Sequence, residues 1–114
     1  DVAAAEVAYA DLDRAVIDGR TEGMCKLIAD QADGTLLGAH VVGEQALEIV
    51  HVVAAGMVAG MTVAQMSQME IAYPTYTAVL GTAARQLPQA FGSHASSAKT
   101  MMRWRTIISA SSDR

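Results

Sequence analysis

The chain has 114 residues, 52% of them hydrophobic and only 4% aromatic, which predicts one domain whose core is built from small aliphatic side chains and methionine. The net charge of −4 argues against general nucleic-acid binding. Cys25 is the single cysteine, so an intrachain disulfide, a CxxC redox pair and a cysteine zinc cluster are excluded, and a cytoplasmic protein is the simplest expectation.

Strand patterns fill the first part of the chain. Residues 3–11 alternate loosely and could form a strand, whereas residues 11–23 are polar and predict a loop or wide turn. Two apolar runs follow, at residues 24–30 and 35–43, and the tetrapeptide QADG separates them. An Asp-Gly pair between two such runs is typical of a β-hairpin. We predict that these runs form the central antiparallel pair of a small sheet.

From Glu44 the period changes to that of a helix with a wide apolar face. The residues that define this face are Leu47, Val50, Ala54, Met57, Val58 and Met61. The run at 46–61 is shorter than the roughly 20 apolar residues needed to cross a bilayer, so a buried helix is predicted and no membrane is expected.

Two shorter helices are predicted next. Residues 61–69 should form one that Thr62 caps, and the second should run from Thr75 to Leu87, where Pro88 ends it. Helices grouped beside a small antiparallel sheet predict an α+β domain over residues 1–88.

Residues 89–114 are a serine-rich, basic extension. Half of the basic residues of the chain lie there: Lys99, Arg103, Arg105 and Arg114. Residues 100–109, around Trp104, could form a short amphipathic helix. An extension that is poorly ordered or packs on its own domain is favoured, and a surface that binds a partner or a lipid membrane is the alternative.

The histidines show no metal-ligand spacing, so no metal site is predicted. His40 and His51 are expected at the core or its boundary, and His94 is expected to be exposed. No phosphate-binding loop and no nucleophile elbow occurs in the sequence. The chain therefore lacks a self-sufficient active site.

A free-standing small enzyme would have to use Glu44, Glu48, His51 or Cys25. Glu48 precedes His51 by three residues, a spacing that could support proton transfer, although a structural hydrogen bond is favoured. Cys25 lies among apolar strand residues and is expected to be buried rather than reactive.

Three segments occur in a characteristic order: GTLLGAHVVGEQALEIV, HVVAAGMVAGMTVAQM and EIAYPTYTAVLGTAARQL. Over residues 3–88 the chain resembles the C-terminal dimerisation domain of the FAD-dependent pyridine nucleotide-disulfide oxidoreductases. The resemblance implies an α+β fold that pairs with a second copy of itself. It also implies that FAD and NAD(P)H belong to upstream domains of a parent enzyme, that this fragment holds no cofactor, and that the fragment alone is inactive.

In that family the domain places a His-Pro-Thr-x-x-Glu motif in the partner subunit's active site. Here Tyr73 stands at the histidine position, Pro74 and Thr75 follow, and Ala78 stands at the glutamate position. The resemblance places residues 73–75 near the partner's FAD and implies a cis peptide bond before Pro74, and no residue is assigned as catalytic with certainty. Loss of both proton-transfer residues favours a parent that reduces quinones or other electron acceptors.

A dimer interface is expected around the same segment. Its proposed members are Tyr73, Tyr76, Thr77 and Leu80; the two tyrosines are included because tyrosine is enriched at interfaces.

Overall fold

The structure is a computed structural model that describes residues 1–88 completely and, for residues 108–111, the backbone. A sheet with strand order β1-β2-β3-β4 forms one layer, and helices cover one of its faces. The antiparallel strands are β1 (Val2–Ala8), β2 (Gly23–Asp30) and β3 (Leu36–Gly43). The predicted α+β class and the central hairpin are thereby confirmed.

Side chains alternate between the two faces of the sheet, as the pleat requires. The buried face supplies Ala5 and Val7 from β1, Cys25 and Leu27 from β2, and Ala39 and Val41 from β3. These residues meet the helices in one contiguous hydrophobic core, to which the helices add, among others, the fully buried side chains of Ile49, Met66 and Leu80.

A fourth strand, β4 (Ile108–Ser111), pairs in parallel with β3, from Ala39 opposite Ile108 to Val42 opposite Ser111. The sequence did not predict this strand. It takes the last two residues of the helix predicted over residues 100–109, so the helix prediction is wrong there. The remainder of that prediction lies outside the described residues.

Four helices complete the described part of the domain. They are α1 (Asp13–Asp18), α2 (Ala46–Val58), α3 (Val63–Gln68) and α4 (Ala78–Gln86). Within the described ranges, no helix is both long and apolar enough to span a bilayer.

The predicted cap of the short helix is confirmed, because Thr62 and Gln65 form a capping box. The Gln65 amide donates to Thr62 Oγ1 at 3.2 Å, and the Thr62 amide donates to Gln65 Oε1 at 2.9 Å. The last helix also forms as predicted, although it begins at Ala78 rather than Thr75.

Two further predictions about the secondary structure and its packing are wrong. The polar segment 11–23 contains α1, a six-residue helix in which only Ala15 is buried, so it carries no apolar period. The predicted apolar face of α2 includes Leu47 and Val58, yet these side chains are 55% and 81% exposed. The helix is apolar on nearly every side, and the sheet selects the side that carries Ile49 and Val53 instead.

Candidate partner-facing site

The segment between α3 and α4 presents the Tyr-Pro-Thr motif. The peptide bond between Tyr73 and Pro74 is cis, as the resemblance implied. Tyr73 is 72% exposed, whereas Pro74 and Thr75 are partly buried. The Thr75 hydroxyl donates to the Ala72 carbonyl at 2.6 Å and accepts from the Ala78 amide at 3.2 Å. These two bonds join the motif to the first turn of α4.

Helix α1, which the sequence analysis missed, contacts this segment at three points. The Tyr73 hydroxyl donates to Asp13 Oδ2 at 2.6 Å, and the Tyr76 hydroxyl donates to Asp18 Oδ2 at 2.9 Å. Between them, Arg14 Nη1 donates to the Pro74 carbonyl at 3.4 Å. One short helix therefore reaches residues 73, 74 and 76 from a distance of about 60 positions in the sequence.

Charge pairing within α1 sets the protonation states around these contacts. Arg14 Nε lies 3.0 Å from Asp18 Oδ2, an i,i+4 ion pair. Hydrogen bonds from Arg14 and then from Tyr76 lower the pKa of the Asp18 carboxyl. The hydrogen bond to Asp13 raises the pKa of the Tyr73 phenol, and burial followed by the bond to Asp18 raises that of Tyr76. Both phenols are therefore neutral at physiological pH.

Tyr76 is also the link from this segment to the core. It is 7% exposed, and its ring centroid lies 5.7 Å from that of Tyr9. The Tyr9 hydroxyl donates to the Glu44 carbonyl at 2.8 Å, just before the start of α2. The two rings thus connect the motif with the junction of β3 and α2.

Ala78, the position at which the resemblance implies glutamate, is the first residue of α4. It lines a small cavity of about 250 Å³ together with Tyr73, Asp13, Arg14 and Arg85. A methyl group stands at the glutamate position, and the carboxylate that bonds residue 73 comes from α1 instead.

A larger open cavity of about 550 Å³ lies on the other side of the segment, next to the first turn of α2. The charged residues that line it are Arg14, Asp18, Arg20, Glu44 and Glu48. Both signs of charge are present, so the cavity has no strong preference for an anion or a cation.

The residues proposed for the interface differ in their placement. Tyr73 is exposed and Thr77 is partly buried, whereas Leu80 has no exposed surface and Tyr76 has little. Leu80 and Tyr76 are packed into the core of their own chain.

The candidate chemical residues are spread over the fold. Cys25 is fully buried as expected, and burial raises the pKa of its thiol to about 12. His40 is partly buried on β3, as expected for a boundary histidine. His51 is exposed rather than at the core boundary, because the sheet packs against the opposite side of α2. His94 lies outside the described residues.

Among the described residues, no group of three or more His, Cys, Asp or Glu side chains could hold a metal ion. The functional contacts that sequence reasoning missed are those of Asp13, Arg14 and Asp18. The available signal was the Arg14–Asp18 pair at i,i+4 spacing, which indicates a helical turn.

Comparison with known proteins places this geometry in context. The family described as "Pyridine nucleotide-disulphide oxidoreductase, dimerisation domain" matches residues 1–84. A soluble pyridine nucleotide transhydrogenase of Mycobacterium bovis (strain BCG / Pasteur 1173P2) is 37% identical over 76 residues, which cover 67% of this chain and 16% of that protein. The corresponding protein of Mycobacterium tuberculosis (strain ATCC 25177 / H37Ra) gives the same figures.

A mercuric reductase of Streptomyces lividans is 36% identical over 72 residues, covering 63% of this chain and 15% of its own length. The chain thus matches about one sixth of the length of these relatives. The family match extends from β1 through most of α4 and includes the whole Tyr-Pro-Thr segment. The chain belongs to the dimerisation-domain family of the pyridine nucleotide-disulphide oxidoreductases.

Proposed function

We propose that this domain forms a homodimer with a second copy of itself and presents Tyr73, Pro74 and Thr75 to the partner subunit's active site. The parent would be a cytoplasmic, FAD-dependent oxidoreductase that uses NAD(P)H. The observation that carries the proposal is the 72% exposure of Tyr73 on a segment whose neighbours on both sides are held in place. An exposed aromatic ring on an anchored segment is well suited to bind a partner, because little conformational entropy is lost on contact.

Two exposed aliphatic side chains on the outer side of α2 add support for a second copy as the partner. Leu47 and Val58 are 55% and 81% exposed. They are 11 residues apart, which is three helical turns with a residual rotation of about 20°. Both side chains therefore point in nearly the same direction, and exposed His51 lies between them on the same side of the helix. Exposed aliphatic side chains that share one side of a helix favour a protein–protein contact.

The residues at the motif favour a parent that transfers electrons without a thiol base. Ala78 cannot orient a base, and the raised pKa of Tyr73 keeps its phenol protonated at neutral pH, so the phenol is not available as a general base. FAD bound in the parent would supply the electron transfer from NAD(P)H. This chain would contribute only the edge formed by residues 73–75, where Tyr73 orients a group and shields it from water.

The test is sedimentation equilibrium on the 114-residue chain. A dimer is expected, and Val58→Asp should weaken it at least about tenfold, the effect of losing one contact of about 1.4 kcal/mol. Gln31→Glu is the matched control, because it adds the same charge at an exposed turn residue. A wild-type chain that remains monomeric at every accessible concentration would contradict the proposal.

Ligand titration separates this proposal from a free-standing enzyme. A dimerisation domain should show no saturable binding of FAD, NAD(P)H or divalent metal ions. Saturable binding that is lost on Glu44→Gln or Glu48→Gln would instead favour an enzyme that uses the larger cavity. Association with anionic vesicles that disappears when residues 89–114 are deleted would favour the lipid-binding alternative.

A further inference from the structure

The Tyr73–Asp13 contact suggests how an exposed ring keeps one orientation. Tyr73 Oη lies 2.6 Å from Asp13 Oδ2, the length of a charge-assisted O–H···O⁻ bond. Both side chains are exposed, so water competes for each of them. The bond therefore needs a backbone that holds its two ends at this separation.

That backbone support is present on both sides. The Arg14 guanidinium reaches the Pro74 carbonyl, one residue beyond Tyr73. Asp18 accepts from Tyr76, which is itself packed into the core against Tyr9. Because α1 is tied to the segment at these two further points, Asp13 and Tyr73 are brought together before any partner binds.

The carboxylate beside Tyr73 comes from a helix other than α4. Ala78 leaves α4 without a carboxylate beside residue 73, and the cavity at this point contains Asp13 from α1. The carboxylate of Asp13 in α1 thus lies against Tyr73, the residue at the position where the resemblance implies histidine.

We propose that Asp13 is the positioning residue for Tyr73: its carboxylate accepts the hydrogen bond of the phenol, so that the phenol oxygen faces the partner subunit as an oriented hydrogen-bond acceptor. This inference rests on the proposed function for its partner, but not for the contact itself. A phenol has one hydrogen to donate and lone pairs to offer. Because the phenol donates its one hydrogen to Asp13, a partner group that hydrogen-bonds Tyr73 must be an N–H or O–H donor.

Tyrosine NMR on the 114-residue chain tests the contact directly. With ¹³Cζ-labelled tyrosine the chain gives three signals, and Tyr73→Phe assigns one of them. The other charged groups that line the cavity beside Tyr73 are Asp11, Arg14 and Arg85. In the wild type Tyr73 should titrate above the ordinary phenol, and Asp13→Ala should lower its pKa toward the ordinary value of about 10.

Asp11→Ala is the matched control, because it removes the same charge from the same cavity without removing the bond. It should leave the Tyr73 titration unchanged. Asp13→Asn serves as a second variant that keeps the shape of the side chain at the start of α1, and it should lower the pKa in the same direction by a smaller amount. An unchanged titration in Asp13→Ala, or an equal fall in Asp11→Ala, would overturn the proposal.

A double-mutant cycle on dimerisation of the full-length parent, in which the partner's active site is present, tests the role toward the partner. Asp13→Ala and Tyr73→Phe should weaken the dimer by the same factor, and the double variant by no more than either. Additive effects would show that Asp13 does not act through Tyr73. A monomeric wild type would instead refute the proposed function, while the NMR titration would still decide whether Asp13 positions Tyr73.

Discussion

Gly43, at the end of β3, offers a sharp test of how the motif is supported. Its φ is +130°, a conformation that residues with a side chain rarely adopt. A Cβ at this position would lie 2.7 Å from Tyr9 Cε2 and 2.9 Å from the Glu22 carbonyl oxygen. Gly43→Ala should therefore combine backbone strain with a steric clash.

The two terms can be estimated separately. Backbone strain of this kind costs about 1–3 kcal/mol, and overpacking against a well-packed ring costs about 1–3 kcal/mol. Together they predict a loss of about 2–6 kcal/mol in the free energy of unfolding, which is a large share of a typical total of about 5–15 kcal/mol. Because Tyr9 packs on Tyr76, the displaced ring should also disturb the segment that carries Tyr73.

Gly19→Ala is the matched control. Gly19 has a φ of +65°, and a Cβ there would meet no atom within 4 Å. Gly19→Ala should therefore lower the free energy of unfolding by about 1–2 kcal/mol, from backbone strain alone. Urea unfolding of both variants gives the two free energies. Equal losses at positions 19 and 43 would refute the reasoning that contact with Tyr9 makes Gly43 irreplaceable.

Three further predictions follow from burial and charge. Leu80→Ala should lower the free energy of unfolding, measured by urea titration, by about 2–5 kcal/mol, because the Leu80 side chain is fully buried. Leu47→Ala, measured in the same way at concentrations where the chain is monomeric, should change it by less than about 0.5 kcal/mol. Similar losses in the two variants would contradict the assignment of Leu80 to the core and Leu47 to the surface. Asp18→Asn should reduce the loss of stability at acidic pH. The pKa of Asp18 in the folded chain lies below its ordinary value of 3.8, so the stabilisation by its carboxylate is present above that value and is lost as the pH falls through the folded pKa. If the urea midpoints of the two proteins change in parallel between pH 7 and 2, the ion pair does not contribute to stability. Cys25 should not react with a thiol reagent at pH 8 in the native state, because burial raises its pKa to about 12, and it should react fully in guanidinium. Rapid labelling of the native chain would show that the Cys25 side chain is accessible to solvent.

The sequence predicts those elements whose signals are local. The Asp33-Gly34 turn lies between two apolar runs, and Gly34 adopts the positive φ of 74° that such a turn favours. Thr62 and Gln65 are three residues apart, so their capping box can be recognised from the sequence alone. In both cases the interacting groups are near neighbours along the chain.

Features that depend on distant parts of the chain could not be predicted in this way. Helix α1 buries only Ala15 and has no apolar period, so its local signal is limited to the Arg14–Asp18 spacing, and it is held by hydrogen bonds to residues about 60 positions away. The orientation of α2 is also a tertiary property, because a helix that is apolar on most sides gives no preferred direction until the sheet selects one. The hydrogen bond between Tyr73 and Asp13 could not be predicted either, because its partners lie 60 positions apart and one of them belongs to α1.

The parallel pairing of β4 with β3 has a consequence for synthesis. About 65 residues separate the end of β3 from Ile108, so this side of β3 has no strand partner until the later segment emerges. At about 5–20 residues per second, the interval is about 3–13 s. During that time the backbone N–H and C=O groups of one β3 edge are open to another chain. Two chains that are synthesised close together would therefore expose the unpaired edge of β3 to each other until the residues of β4 emerge.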